Sequence, residues 1–121
     1  MKTFAICLPE KPEQIEAAKK HWEEAGVGPV DFIYGINAEL AGLATAHTYD
    51  RDNPGTNFRM GYKPTGIWLS HLMMWTAAMQ YPDDYFMFLE IDAKFQEGWR
   101  EKFEQAMKDV PVNFDFLNVG S

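Results

Sequence analysis

Apolar residues in this chain fall into short continuous runs that alternate with stretches of helical spacing, the pattern of buried strands interleaved with helices. The first run, Thr3 to Leu8, is closed by Pro9 and predicts a strand buried on both faces. A helix follows, because Pro12 is tolerated in a first turn, Glu13 and Glu16 suit its positive end, and Ile15, Ala18, Trp22 and Ala25 recur at helical spacing until Gly26. Gly28 and Pro29 then introduce Val30 to Ile36, whose β-branched and aromatic residues predict a second strand.

The pattern lapses from Asn37 to Pro64, where a short helical piece over Ala38 to Ala46 is compatible with the sequence and the rest reads as a long polar surface loop. Thr65 is the expected cap of a helix from Gly66 to about Gln80. In it Trp68, Leu72, Trp75 and Met79 form one apolar stripe and Ile67, Met74 and Ala78 another, so burial is expected on more than one side. Tyr81 to Asp84 makes a turn, and Tyr85 to Leu89 is the third strand, leading directly into Glu90 and Asp92. Gly98 to Lys108 reads as an exposed helix, and Phe114 to Val119 as a fourth strand stopped by Gly120 and Ser121. Strands alternating with helices predict an α/β fold, a mostly parallel sheet flanked by helices.

Composition narrows this to one domain, since 121 residues at 46% hydrophobic suit a single core that needs neither disulfide nor structural metal. Cys7, alone and in an apolar run, is expected to be an inert core thiol. A net charge of −7, with no cluster of Lys or Arg, removes the main driving force for nucleic-acid binding. Phe4 to Leu8 is too short for a signal-peptide core and no stretch is long enough for a membrane span, so a soluble, cytoplasmic protein is expected.

Ligands of open α/β sheets bind outside the carboxyl ends of the strands. The polar residues there are Pro9 with Glu10, Asn37, Glu90 with Asp92, and Gly120 with Ser121. Glu90 and Asp92 stand out, because residues two apart in an extended chain point to one side, and two adjacent carboxylates repel unless a cation joins them. Mg²⁺ or Mn²⁺ would suit such a pair and could hold a ligand's phosphates. The plainer reading is a polar turn after a strand, with Asp92 capping or solvated. The scattered His21, His47 and His71 make no zinc pattern, and Ser70 and His71, adjacent on a helix, point about 100° apart and form no nucleophile–base pair. Asp50 to Gly55 fails as a calcium loop because Pro54 and Gly61 stand where ligands are required. Neither GxxxxGK[ST] nor GxGxxG is present, against an ATPase or a dinucleotide enzyme. The aromatic stripe of the Gly66 helix is expected to be core.

Taken in order, ICLPEKPEQIEAAKKHW, FIYGINA, GIWLSHLMMW, DDYFMFLEIDAKF and FDFLNVGS resemble family 25 glycosyltransferases of the lipooligosaccharide type, over nearly the whole chain. The resemblance implies the amino-terminal half of a GT-A fold that binds a nucleotide sugar, a UDP-sugar in the first instance, through a divalent metal. It would place Glu90 and Asp92 on the outer positions of the family's Glu-Asp-Asp motif, Asp92 being the direct metal ligand. Leu8, Pro9, Glu10 and Asn37 would lie near the nucleotide, and Gly66, Ser70 and His71 beside the donor. Ile91 replaces the middle acid and removes one charge, and Glu10-Lys11-Pro12-Glu13 stands where arginines are common. The resemblance stops at Ser121, so the family's acceptor-binding half, which would supply a general base, is expected to be lacking.

The resulting expectation is a domain that transfers a sugar from a nucleotide donor to a carbohydrate acceptor. Its rivals are a non-catalytic binding or interaction module and an incomplete gene product. Truncation would expose apolar sheet surface, for which a homo-oligomer is one remedy.

Overall fold

The computed structural model describes residues 1–42, 47–48, 58–59 and 62–120. Among them the elements run β1 (Lys2–Cys7), α1 (Pro12–Glu24), β2 (Val30–Tyr34), β3 (His47–Thr48), β4 (Phe58–Arg59), α2 (Tyr62–Ala78), β5 (Phe86–Glu90) and α3 (Trp99–Lys108). The main sheet has three parallel strands in the order β2-β1-β5, and β3 and β4 pair antiparallel as a separate ladder. With β1 in the middle, Thr3 lies between Val30 and Met87, and Ile6 between Ile33 and Glu90. All three strands therefore end at one edge.

Strand alternation divides the core in two. One face sets Ala5, Met87 and Leu89 against Ala18 and Trp22 of α1, with Phe32, Trp99 and Phe103 packed around them. The other sets Phe4 against Met74 and Ala78 of α2, with Ile6, Ile33, Phe86 and Phe88 around them. The sequence has enough large apolar residues at alternate positions to fill both faces, which is why the strands read as continuous runs. Helix α1 buries Ile15, Ala18 and Trp22 as its spacing predicts. It stops in a Schellman arrangement: Val27 N–H donates to Trp22 O at 2.8 Å, Gly26 N–H donates to Glu23 O at 3.1 Å, and Gly26 takes φ 72°.

Four expectations need correction. Helix α2 begins at Tyr62, so Thr65 lies inside the helix, buried, and is not its cap. Pro64 did not block the extension because the first-turn N–H groups have no intrahelical partner to lose. The stripe expected to be buried is not: Trp68 is 53% exposed, Trp75 39% and Met79 81%, because α2 turns the opposite side, with Gly66, Ser70, Met74 and Ala78, inward. Phe114 to Val119 forms no strand among the described residues. Tyr85 stacks on Phe114 at 5.1 Å and donates to Val112 O, but beyond that the segment gains no ladder partner and Phe116 is 74% exposed. The piece expected to be helical from Ala38 begins as turns, with Ala41 N–H donating to Asn37 O at 2.9 Å and Gly42 N–H to Glu39 O at 3.1 Å. Its remainder, 43–46, lies outside the described residues, as does most of the long loop and the rejected calcium loop. No helix among the described residues is long and apolar enough to cross a membrane.

Candidate functional site at the carboxyl edge of the sheet

Three loops leave the sheet at the shared carboxyl edge. After β1, Leu8 to Glu10 turns into α1, with Lys11 N–H donating to Leu8 O at 3.1 Å; Leu8 is half-buried, while Pro9 and Glu10 are exposed. After β2, Gly35 N–H donates to Cys7 O at 2.7 Å and extends the pairing one step before the chain turns. Asn37 then folds on itself, its Oδ1 accepting from Leu40 N–H at 3.2 Å. This is the local side-chain bond that favours Asn in turns.

The post-β2 loop is fastened to α2 by Ser70 and Gly66. The Ser70 hydroxyl, only 2% exposed, accepts from Ile36 N–H at 2.8 Å and donates to Gly66 O at 2.6 Å. A Cβ on Gly66 would sit 2.5 Å from Ile36 O, and one on Gly35 would sit 2.8 Å from Ser70 Oγ. These glycines permit a backbone-to-helix approach that a side chain would prevent. Ser70 is thus held in a structural role, with its donor and acceptor used inside the protein.

Glu90 closes β5 on the same face as Phe86 and Phe88, so it points towards α2 and meets His71, with Nε2 and Oε1 3.2 Å apart. The Glu90 side chain remains 61% exposed. The extended chain ends there: Ala93 N–H donates to Glu90 O at 2.9 Å, which closes a turn through Ile91 and Asp92. The two carboxylates share the edge, but a turn separates them where sequence alternation assumed continued strand. Asp92 is exposed and its carboxylate has no hydrogen bond or ion pair among the described residues.

Residues not singled out for this site hold that turn in place. Trp22 Nε1 donates to Ala93 O at 2.9 Å, Phe95 N–H donates to His21 Nε2 at 3.0 Å, and Trp99 Nε1 donates to Ala25 O at 2.7 Å. Helix α1 therefore clamps the chain after Asp92 while α2 contacts Glu90. No local motif announces these bonds, since each joins residues more than seventy positions apart. The His71–Glu90 contact was legible in part, because alternation places Glu90 on the face of Phe86 and Phe88.

A shallow cleft of about 170 Å³ opens at this edge, lined by Pro9, Pro12, Ile15, Glu16, Lys19 and Tyr34. Tyr34, at the end of β2, is 61% exposed. A larger groove of about 460 Å³ lies towards the opposite end, between β2 and the end of α2, lined by residues including Phe4, Asp31, Ile33 and Tyr81. There Lys2 pairs with Asp31 at 2.8 Å, and that hydrogen bond holds its ammonium above the ordinary lysine pKa. The smaller cleft is the better candidate because the exposed carboxylates of Glu90 and Asp92 and the strand-end loops gather on its edge of the sheet. Among the described residues, no three His, Cys, Asp or Glu side chains form a group that could hold a metal ion.

Comparison with protein-family models, with curated proteins and with solved structures finds no match to this chain.

Proposed function

We propose that the chain is a GT-A-like domain that binds a nucleotide sugar, a UDP-sugar in the first instance, through Mn²⁺ or Mg²⁺ at the carboxyl edge of its sheet. One observation carries this reading: Glu90 and Asp92 stand exposed on a clamped turn at the edge where β1 and β2 also end. Asp92, without a competing partner among the described residues, is the direct metal ligand, and Glu90 joins it once its contact with His71 opens. Glu90 and Asp92 alone leave most of a hard cation's coordination sphere to water and to the donor's diphosphate, which is how Mg²⁺ is commonly held. The exposed Tyr34 ring beside Pro9 and Pro12 offers an apolar surface on which a nucleobase can stack.

In transfer to a carbohydrate acceptor, the metal would neutralise charge developing on the departing diphosphate. The chain's own residues would position the donor: α1 through Trp22 and His21 fixes the turn, and Ser70 with Gly66 fixes the loop after β2. The second reading, a module that binds without transfer, is favoured by the shallowness of the cleft, about 170 Å³ against the ~300 Å³ or more usual for a small-molecule site.

Thermal denaturation separates donor binding from its absence. Mn²⁺ with UDP should raise the melting temperature, since a ligand bound only by the folded state stabilises it, and Asp92→Ala should remove the rise. No shift with any nucleotide in the wild type contradicts donor binding. Turnover of a UDP-sugar by this chain would exclude the non-catalytic reading.

A further inference from the structure

We propose that the outer face of α2 is a self-association surface on which a second copy of this chain docks, helix against helix. Trp68, Leu72, Trp75 and Met79 follow one another at spacings of four, three and four, the seam spacing of a paired helix. They lie on the side of α2 away from the Gly66, Ser70, Met74 and Ala78 stripe that meets the sheet, and all four are exposed, from 36% at Leu72 to 81% at Met79. Among the described residues this row stays exposed, with Trp75 edge-on to the His71 ring.

Charge and area select the occupant. From Pro64 to Gln80 the chain has no Asp, Glu, Lys or Arg, so the face offers nothing to a charged partner and carries no flanking charges of the kind that set the choice of a different helix. An uncharged face is complementary to itself, and it lets two chains of net charge −7 meet where their charges are not opposed. The four side chains expose on the order of 500 Å², so a two-fold pairing would bury roughly 1,000 Å², the lower end of specific interfaces. That predicts a reversible dimer with a dissociation constant in about the micromolar range.

Sedimentation equilibrium over about a hundredfold range of concentration tests this independently of any nucleotide. The wild type should pass from monomer to dimer, and its tryptophan emission should shift to shorter wavelength as Trp68 and Trp75 leave water. Leu72→Lys and Met79→Lys should each raise the dissociation constant at least about tenfold with an unchanged far-UV spectrum. Met79→Lys carries the test alone if Leu72→Lys does not fold, because Met79 is 81% exposed. Val112→Lys, at an 89% exposed apolar site elsewhere, should leave association intact. A chain that stays monomeric throughout overturns the proposal and leaves the face to a different partner. Association that survives both seam variants, or fails in Val112→Lys, also overturns it.

Discussion

Cys7 shows how burial turns a reactive residue type into a packing residue. Its thiol is 2% exposed at the end of the central strand and reaches Ile33 O at 3.8 Å, and burial pushes its pKa above the ordinary 9.0, with Lys19 opposing in part. A folded pKa above the unfolded one means that the unfolded chain releases the proton first. The resulting contribution to stability is complete below about pH 9 and disappears as pH rises through the folded value. Urea midpoints measured from pH 7 to pH 10 should therefore fall more steeply for the wild type than for Cys7→Ala; parallel curves would contradict the burial. This inert thiol was readable from its apolar neighbours alone. The tethering roles of His21 and Trp22 were not, because they depend on the polar ends of side chains that helical spacing identifies only as near the core.

At the scale of elements, α1 was legible because its spacing, its proline start and its glycine stop agree. Helix α2 was misread at its start because Pro64 is tolerated in a first turn, and on its outer face because its sequence is apolar all round, so periodicity could not say which side meets the sheet. Gly66 and Ser70 decide that. An alanine at Gly66 would favour helix formation by up to ~1 kcal/mol on propensity, yet its Cβ would meet the Ile36 carbonyl at 2.5 Å. Because the obstacle is backbone, the clash should win. Gly66→Ala is expected to destabilise the protein by about 1–3 kcal/mol in chemical denaturation. A gain in stability would show that α2 does not approach the loop so closely. The segment from Phe114 illustrates the opposite error: its strand propensity is real, but propensity becomes a strand only beside a partner.

For the whole molecule, three parallel strands ending together create a polar edge at which loops distant in sequence meet. The fold class and the direction of that edge were legible, since strand and helix patterns alternate and polar residues follow each strand. The site's geometry was only half legible: Glu90 ends its strand as expected, but the turn at Ile91 and Asp92 replaces the straight continuation that would have set the carboxylates side by side. The central claim is that this edge binds a divalent metal and, with it, a nucleotide diphosphate. Paramagnetic broadening by Mn²⁺ in the presence of UDP, read amide by amide in an ¹H–¹⁵N spectrum, tests it most directly. Loss of signal concentrated at Glu90 to Ala93, with weaker effects at Leu8 to Lys11 and Gly35 to Asn37, and absent in Asp92→Ala, is the predicted result. Broadening spread over the acidic surface, or unchanged by Asp92→Ala, would contradict it.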